Sequence, residues 1–285
     1  MLGEPGEAAD QLLERAVALI VPPERLLSVD ELERARELRA VVSPVIGTDH
    51  LPLKALAHRG IAVAHGAAPE NYVGMAEAAV ALTLSIVHRI KAKEANLLAG
   101  AERLIDVGGL LGTRTVGLVG LGRIGRAVAE RLAAFGCRLV GSDPQVGELS
   151  GVEVVPLEQL LRESDVVCVQ VPLTNSTRAL LDSAAFEVIK SGAFLVNVGR
   201  GGVVDEIALA EALDRGQVAG AAVDVWSEEP PPPDHPLLRR PDVIATPHNA
   251  GHSNEAYDGL ALLAVDQVKR LLDGRDAVYP VELPS

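Results

Sequence analysis

Gly120-Leu121-Gly122-Arg123-Ile124-Gly125 lies between a short apolar run and an amphipathic segment, and that setting decides the fold. The run before it, Thr115-Val116-Gly117-Leu118-Val119, is uncharged and rich in β-branched residues, as a buried parallel strand should be. After it Ile124, Ala127, Val128, Leu132 and Phe135 recur at helical spacing, with Arg126, Glu130 and Arg131 turned the other way. Strand, glycine turn and helix form a dinucleotide fingerprint. Gly120 permits the tight turn, Gly122 lets backbone approach a pyrophosphate, and Gly125 lets the helix pack closely. The helix start then presents N–H groups and a positive dipole end to phosphate, which gives Arg123 and Ile124 a place at the ligand. Cys137-Arg138-Leu139-Val140-Gly141 reads as the next strand, and Asp143 follows about 20 residues after the glycines. A carboxylate there accepts hydrogen bonds from both ribose hydroxyls of NAD and repels the 2′-phosphate of NADP. Pro144 brings no basic group to offset that. A turn-forming Asp-Pro without a ligand is the plain alternative; motif and spacing together favour NAD.

Downstream the pattern repeats. Apolar strands are expected at 114–119, 137–142, 165–171, 193–198, 218–224 and 242–246, with helices near 123–135, 157–163, 182–190 and 205–215. Asp205 is a candidate cap and Gly216 a candidate stop for the last helix. Six strands with crossovers predict an α/β fold with a doubly wound parallel (Rossmann) sheet. Upstream, short apolar runs at Ala16–Val21, Ala40–Val42 and Ile61–Val63 carry strand signals of their own. Residues 74–98 read as one long helix of about 38 Å, apolar nearly all round in its first half. An amphipathic helix over 254–274 is expected to return to the front part. The expected division is residues 1–73 plus 256–285 as one domain and 74–255 as the dinucleotide-binding domain.

Composition narrows the class further. A chain of 285 residues buries about 75% of its unfolded surface on folding, enough for one large domain or two modest ones. Hydrophobic residues make up 48% but aromatics only 2%, so the cores must be built from Ala, Val, Leu and Ile. The formal charge of −13 argues against nucleic acid or an anionic membrane as partner. The start, Met1-Leu2-Gly3-Glu4-Pro5, is acidic and carries no leader pattern, and Glu77 and Thr83 interrupt the stretch from Ala76 to Val87. Cys137 and Cys168 fall in predicted buried strands, as reduced thiols would in a cytoplasmic protein.

In an open parallel sheet, ligands bind beyond the carboxyl ends of the strands. Three such ends are rich in chemistry: Asn197-Val198-Gly199-Arg200-Gly201-Gly202, Asp224-Val225-Trp226-Ser227-Glu228-Glu229-Pro230, and Thr246-Pro247-His248-Asn249-Ala250-Gly251. One Arg, one or two carboxylates and one His therefore converge where a nicotinamide would lie. Arg can clamp a carboxylate bidentately and polarise the neighbouring carbonyl. His can give or take a proton near neutral pH, and a Glu beside it orients the imidazole. With a hydride carrier, this is equipment for interconverting a 2-hydroxy acid and a 2-keto acid.

At these residues the chain resembles the D-2-hydroxyacid dehydrogenase family over roughly Val41 to the C-terminus. The Gly120–Gly125 fingerprint, Val171-Pro172-Leu173-Thr174 with Thr177, and the segments 197–209, 224–230 and 246–251 match its motifs in order. The resemblance implies Arg200, Glu229 and His248 as catalytic residues. It adds Val171, Pro172, Thr177, Val198, Gly199, Asp224 and Ala250 to the cofactor-binding set, with Arg200 and His248 touching the cofactor too. Within Ser43–Asp49 it implies that Val45, Ile46 and Gly47 help hold the substrate carboxylate, with Arg200 and His248 completing that site. It implies a smaller flavodoxin-like α/β substrate domain, D stereochemistry, and a homodimer formed through residues 74–112. Members generally begin with a strand and helix ahead of the part matching residues 8–40, so the substrate domain is expected to be N-terminally shortened with an open sheet edge. Gln170 stands where the family often has His, and Ser142 where an aromatic is common.

Two other readings share this fold: an NADH-sensing corepressor-like interaction protein, and an inactive N-terminally truncated copy. His252 is a rival to His248, expected on the rim. His50, His58, His65, His88 and His235 show no ligand spacing and read as surface or packing residues, so no metal is expected. Lys54, Arg59 and Arg89 are basic enough for a phosphorylated substrate, though solvated surface is their plainer role.

Overall fold

The computed structural model describes residues 7–23, 25–101 and 107–284. The acidic start at Met1–Pro5 and residues 102–106 of the 74–112 segment lie outside the described residues. The chain divides into two compact units, Met1–Asn71 with His252–Ser285, and Tyr72–Gly251.

In chain order the first unit holds α1 (Glu7–Glu14), β1 (Ala18–Ile20), α2 (Val29–Arg34), β2 (Ala40–Ser43), α3 (Leu53–His58) and β3 (Ala62–His65). Its strands pair in parallel in the order β1-β2-β3. Alternation along the strands sorts the core: Val41 and Val63 pack with Leu32 and Leu56, while Val42 and Ala64 meet Ala264 from the C-terminal helix. Ser28 caps α2 in a reciprocal box with Glu31. Arg59 is a structural tether rather than a free cation, because its guanidinium donates to the carbonyls of Leu32 and Ala35.

Next come α4 (Pro69–Val87) and α5 (Ile90–Leu98). They replace the single long helix expected over 74–98, with a bend of 54° between them. Arg89 takes a left-handed φ of 56°, and the Val87 carbonyl accepts the Gly109 N–H at 2.9 Å instead of continuing the helical ladder. A distant partner therefore ends α4, where the local apolar spacing would let it run on. Among the described residues no single helix is long and apolar enough to cross a membrane; the bent α4–α5 pair passes on length and composition alone.

The second unit continues with β4 (Thr115–Val119), α6 (Arg123–Ala133), β5 (Arg138–Ser142), β6 (Glu153–Val154), α7 (Leu157–Glu163), β7 (Val166–Val169), α8 (Ser183–Val188), β8 (Ala193–Asn197), α9 (Glu206–Asp214), β9 (Val218–Val223) and β10 (Val243–Ala245). Helix α10 (Asn254–Leu272) then belongs to the first unit. The sheet is parallel throughout, ordered β10-β9-β8-β7-β4-β5-β6. Strand order reverses beside β4, the doubly wound arrangement the sequence predicts, with the two-residue β6 added at one edge. Both faces are buried. Val116, Leu118, Val166, Cys168, Phe194 and Val196 pack against α4 and α6, and the alternate residues Val119, Val167, Val169 and Leu195 against α7, α8 and α9. Each fully buried Val or Leu contributes about 1.5–3 kcal/mol.

Cys168 sits in β7, and burial pushes its thiol up to about 11. Cys137 departs from expectation: it lies just before β5 and is half-buried.

Candidate active site

The glycine turn leaves β4 with Gly120 at φ +97°, a conformation that favours glycine. A Cβ there would lie 2.7 Å from a Val171 methyl. Gly122 is the N-cap of α6, and no side chain caps that helix. A Cβ on Gly122 would meet nothing within 4 Å, whereas one on Gly125 would collide with the Gly120 carbonyl. The turn is thus closed against the protein at Gly120 and Gly125 and open at Gly122, the shape that backbone approach to a pyrophosphate requires.

Asp143 follows β5 directly, with Pro144 beside it. Its Oδ2 accepts the Leu121 N–H at 2.8 Å and its Oδ1 the Gln145 N–H at 2.8 Å, so the carboxylate also braces the glycine turn. Beyond β7, the Gln170 amide donates to the Gly120 carbonyl at 3.0 Å. Thr177 directs its hydroxyl to the Pro172 carbonyl at 2.6 Å, holding the 172–177 turn together.

The turn after β8 is organised by Asn197, which is 1% exposed. Its Oδ1 accepts the Gly199 N–H at 3.1 Å and its Nδ2 donates to the Arg200 carbonyl at 3.2 Å. Val198 is buried, and Gly199 packs against the Val171 main chain. Arg200 donates from Nη1 to the Gly199 carbonyl at 2.8 Å. Gly201 presses against the Trp226–Ser227 main chain so closely that no Cβ fits. The loops after β7, β8 and β9 are in this way packed backbone to backbone.

Asp224 directly follows β9 and has no exposed surface. Its Oδ1 accepts from the Thr246 hydroxyl (2.6 Å) and from the N–H groups of Asn249 (3.1 Å) and Ala250 (3.0 Å). Its carbonyl accepts the His248 N–H at 2.7 Å. Its Oδ2 is buried without a partner among the described residues, an unmet acceptor that the amide of a carboxamide would satisfy. Together with the open face at Gly122 and the uncapped α6, this acceptor fits a nicotinamide dinucleotide.

His248 adopts φ +55°, an unfavourable backbone for a residue with a Cβ. Its Nδ1 lies 2.9 and 2.8 Å from the two oxygens of Glu229. A carboxylate can only accept, so Nδ1 carries the proton and Nε2 is left for other chemistry. The side chains are 37% and 40% exposed, consistent with a pair that meets a ligand. Burial alone would raise the Glu229 carboxyl. Hydrogen bonds from His248 and the Trp226 N–H, with the charges of His248 and Arg200, outweigh it and hold the group below its ordinary value.

Arg200, Asp224, Glu229, His248 and Ala250 are therefore brought to one edge of the seven-stranded sheet, the edge that carries the glycine turn. Val45, Ile46 and Gly47 belong to the first unit, in the loop after β2, where the buried Ser43 hydroxyl reaches the carbonyls of Val45 (3.0 Å) and Gly47 (2.8 Å). His252 pairs with the Tyr257 hydroxyl at 2.9 Å. Among the described residues no three His, Cys, Asp or Glu side chains are grouped as metal ligands would be. Sequence reading missed Asn197, whose only signal is a polar residue at a buried strand end. It also missed Glu206 and His235, joined across 29 positions at 2.9 Å.

A family model described as D-isomer specific 2-hydroxyacid dehydrogenase, NAD binding domain, matches residues 80–250. The chain is 36% identical over 273 residues to the D-3-phosphoglycerate dehydrogenase of Archaeoglobus fulgidus, covering 94% of this chain and 52% of that protein. It spans about half the length of the curated relatives it matches. Among solved structures, the TT0316 protein of Thermus thermophilus superposes with TM-score 0.89 at 36% identity, covering 98% of this chain and 91% of that one. The Aquifex aeolicus D-lactate dehydrogenase complexed with NAD and lactic acid gives TM-score 0.87 at 28% identity, with coverage of 97% and 90%.

Proposed function

The chain belongs to the D-isomer specific 2-hydroxyacid dehydrogenase family, and we propose that it interconverts a small 2-hydroxy acid and its 2-keto acid using NAD(H). The observation that carries the proposal is the His248–Glu229 pair, at the sheet edge that also bears the glycine turn. Bound NADH would supply the hydride. Arg200 holds the substrate carboxylate and draws electron density from the adjacent carbonyl. His248 delivers the proton to the carbonyl oxygen from Nε2, while Glu229 keeps Nδ1 protonated and offsets the imidazolium charge. Asp224 directs its unmet oxygen to the carboxamide, and Asp143 takes the adenosine ribose hydroxyls. Arg123, Ile124, Val171, Pro172, Thr177, Val198, Gly199 and Ala250 line the cofactor in this reading.

Residues 1–73 with 256–285 serve as substrate domain, with Val45–Gly47 as its carboxylate loop, and 74–255 as dinucleotide-binding domain. A homodimer through the 74–112 segment belongs to the same reading. It is supported by the exposed apolar residues Ile90, Leu97 and Leu98 on α5 and by Leu110. A cytoplasmic setting is supported by the two free thiols.

The test is NADH oxidation with glyoxylate, pyruvate, hydroxypyruvate, 2-ketoisocaproate and phosphohydroxypyruvate. His248→Ala should lower kcat on the active substrate by about 10²–10⁴-fold while NADH binding, read by fluorescence, survives. Undiminished turnover in that variant ends the assignment.

A further inference from the structure

A second Glu–His pair lies behind the first. The side chains of Glu206 and His235 are only 10% and 11% exposed, with His235 Nε2 2.9 Å from Glu206 Oε2. The Leu237 N–H points to His235 Nδ1 at 3.3 Å, so Nδ1 accepts and the ring proton sits on Nε2, donated to the carboxylate. Glu206 Oε1 in turn accepts both the N–H (2.7 Å) and the hydroxyl (2.9 Å) of Ser227.

One residue earlier, Trp226 donates its N–H to Glu229 Oε1 at 3.0 Å and its indole N–H to the Thr246 carbonyl at 2.9 Å. The His235 ring meets that indole edge-on, with centroids 5.3 Å apart. The Trp226–Glu229 turn is thus gripped on one side by Glu206 and His235 and offers the Glu229 carboxylate to His248 on the other. Helix capping does not account for Glu206. The Asp205 side chain already accepts the N–H groups of Ile207 and Ala208, both at 3.0 Å.

Resting on the dehydrogenase reading, we propose that Glu206 and His235 form a positioning pair: they fix Ser227 so that Glu229 keeps both oxygens on His248 Nδ1. Among the described residues, the following groups meet that imidazole or its carboxylate. Glu229 and the Trp226 N–H come from the turn after β9, and Arg200 from the turn after β8, its charge acting on Glu229. Asp224 contributes its carbonyl to the His248 main chain and spends Oδ1 on Thr246, Asn249 and Ala250. Glu206 touches none of the reacting groups, so its effect passes through the turn. Glu229 is 40% exposed, and once the turn is released its carboxylate has water to swing into.

Three measurements test this. Glu206→Ala should lower kcat about tenfold and move the alkaline limb of the reduction profile to lower pH, with NADH affinity held within about twofold. Introduced into Glu229→Gln, the same change should cost less than about twofold more, because both act through one carboxylate. His235→Leu should behave as Glu206→Ala does and guards against a folding defect peculiar to one variant. His235→Gln, which keeps an N–H at the Nε2 position, should retain most activity. Independently of turnover, the Nδ1–H proton resonance of His248 in cofactor-free protein, held downfield by its bond to Glu229, should move upfield or be lost to solvent exchange in Glu206→Ala, and move upfield in Glu229→Gln. An unmoved His248 Nδ1–H resonance in Glu206→Ala, or an equal fold loss in both backgrounds, overturns the positioning role. If the parent turns over none of the acids, the dehydrogenase reading fails, and the NMR comparison alone decides whether the pair holds Glu229.

Discussion

Asp143 has two duties that a single carboxylate can meet. Each oxygen accepts one backbone N–H, from Leu121 and from Gln145, and retains a further lone pair for a ribose hydroxyl. Charge-assisted bonds of this kind are about twice as strong as neutral ones, so Asp143→Ala should weaken NADH by about tenfold or more. NADPH, whose 2′-phosphate the carboxylate repels, should change little or improve. Parallel fluorescence titrations of both cofactors check this. A matched loss for the two would show that Asp143 acts only by bracing the glycine turn. Residues of this sort were readable because each stands at the end of an apolar run, where a parallel sheet puts its ligands. Arg200, Glu229 and His248 share that property. Glu206 and His235 do not, since one opens a helix and the other follows a proline run, and no spacing rule links them.

At the scale of the element, the start of α6 separates glycines needed for folding from one needed for binding. Gly122 has an ordinary φ of −70° and open space around it, so Gly122→Ala should leave the melting temperature nearly unchanged while obstructing the pyrophosphate. Gly125→Ala drives a methyl into the Gly120 carbonyl and should cost about 1–3 kcal/mol of stability as well as NADH affinity. Thermal melts beside NADH titrations distinguish the two. Equal melting temperatures for both variants would refute the division. Most elements were legible because the sheet is buried on both faces, and its strands read as uninterrupted apolar runs. Two features escaped. Strand β6 is only Glu153–Val154, too short to carry a periodicity, and it exists through pairing with Val140 and Gly141. The break between α4 and α5 involves neither Gly nor Pro at 88–89. It is set by the Gly109 N–H reaching back to Val87, a contact that no local pattern announces.

Over the whole molecule, a formal charge of −13 makes the fate of the carboxylates decisive for stability in acid. Burial would raise Glu31 in the first unit and Asp165 and Glu229 in the second, but hydrogen bonds and nearby cations prevail and hold all three below their ordinary values. The unfolded chain therefore binds more protons than the folded one below the reference values of 3.8 and 4.5. Their stabilisation is complete above that range and is lost as pH falls through the folded values. Asp165 reports on this most directly. Its Oδ2 accepts the Thr115 N–H at 2.9 Å and its Oδ1 meets Lys190 Nζ at 2.7 Å, tying the start of β4 to the segment before β8. Lys190 is partly solvated, so Asp165→Asn should cost about 1 kcal/mol near neutrality, or about 2–4 °C in melting temperature. Melts of parent and variant at pH 7, 5, 4 and 3 should show that gap shrinking only below pH 3.8, because protonation does to the parent what the substitution has already done to the variant. A gap that stays constant into acid would mean that the hydrogen-bond geometry of Asp165, and not its charge, is what the sheet requires.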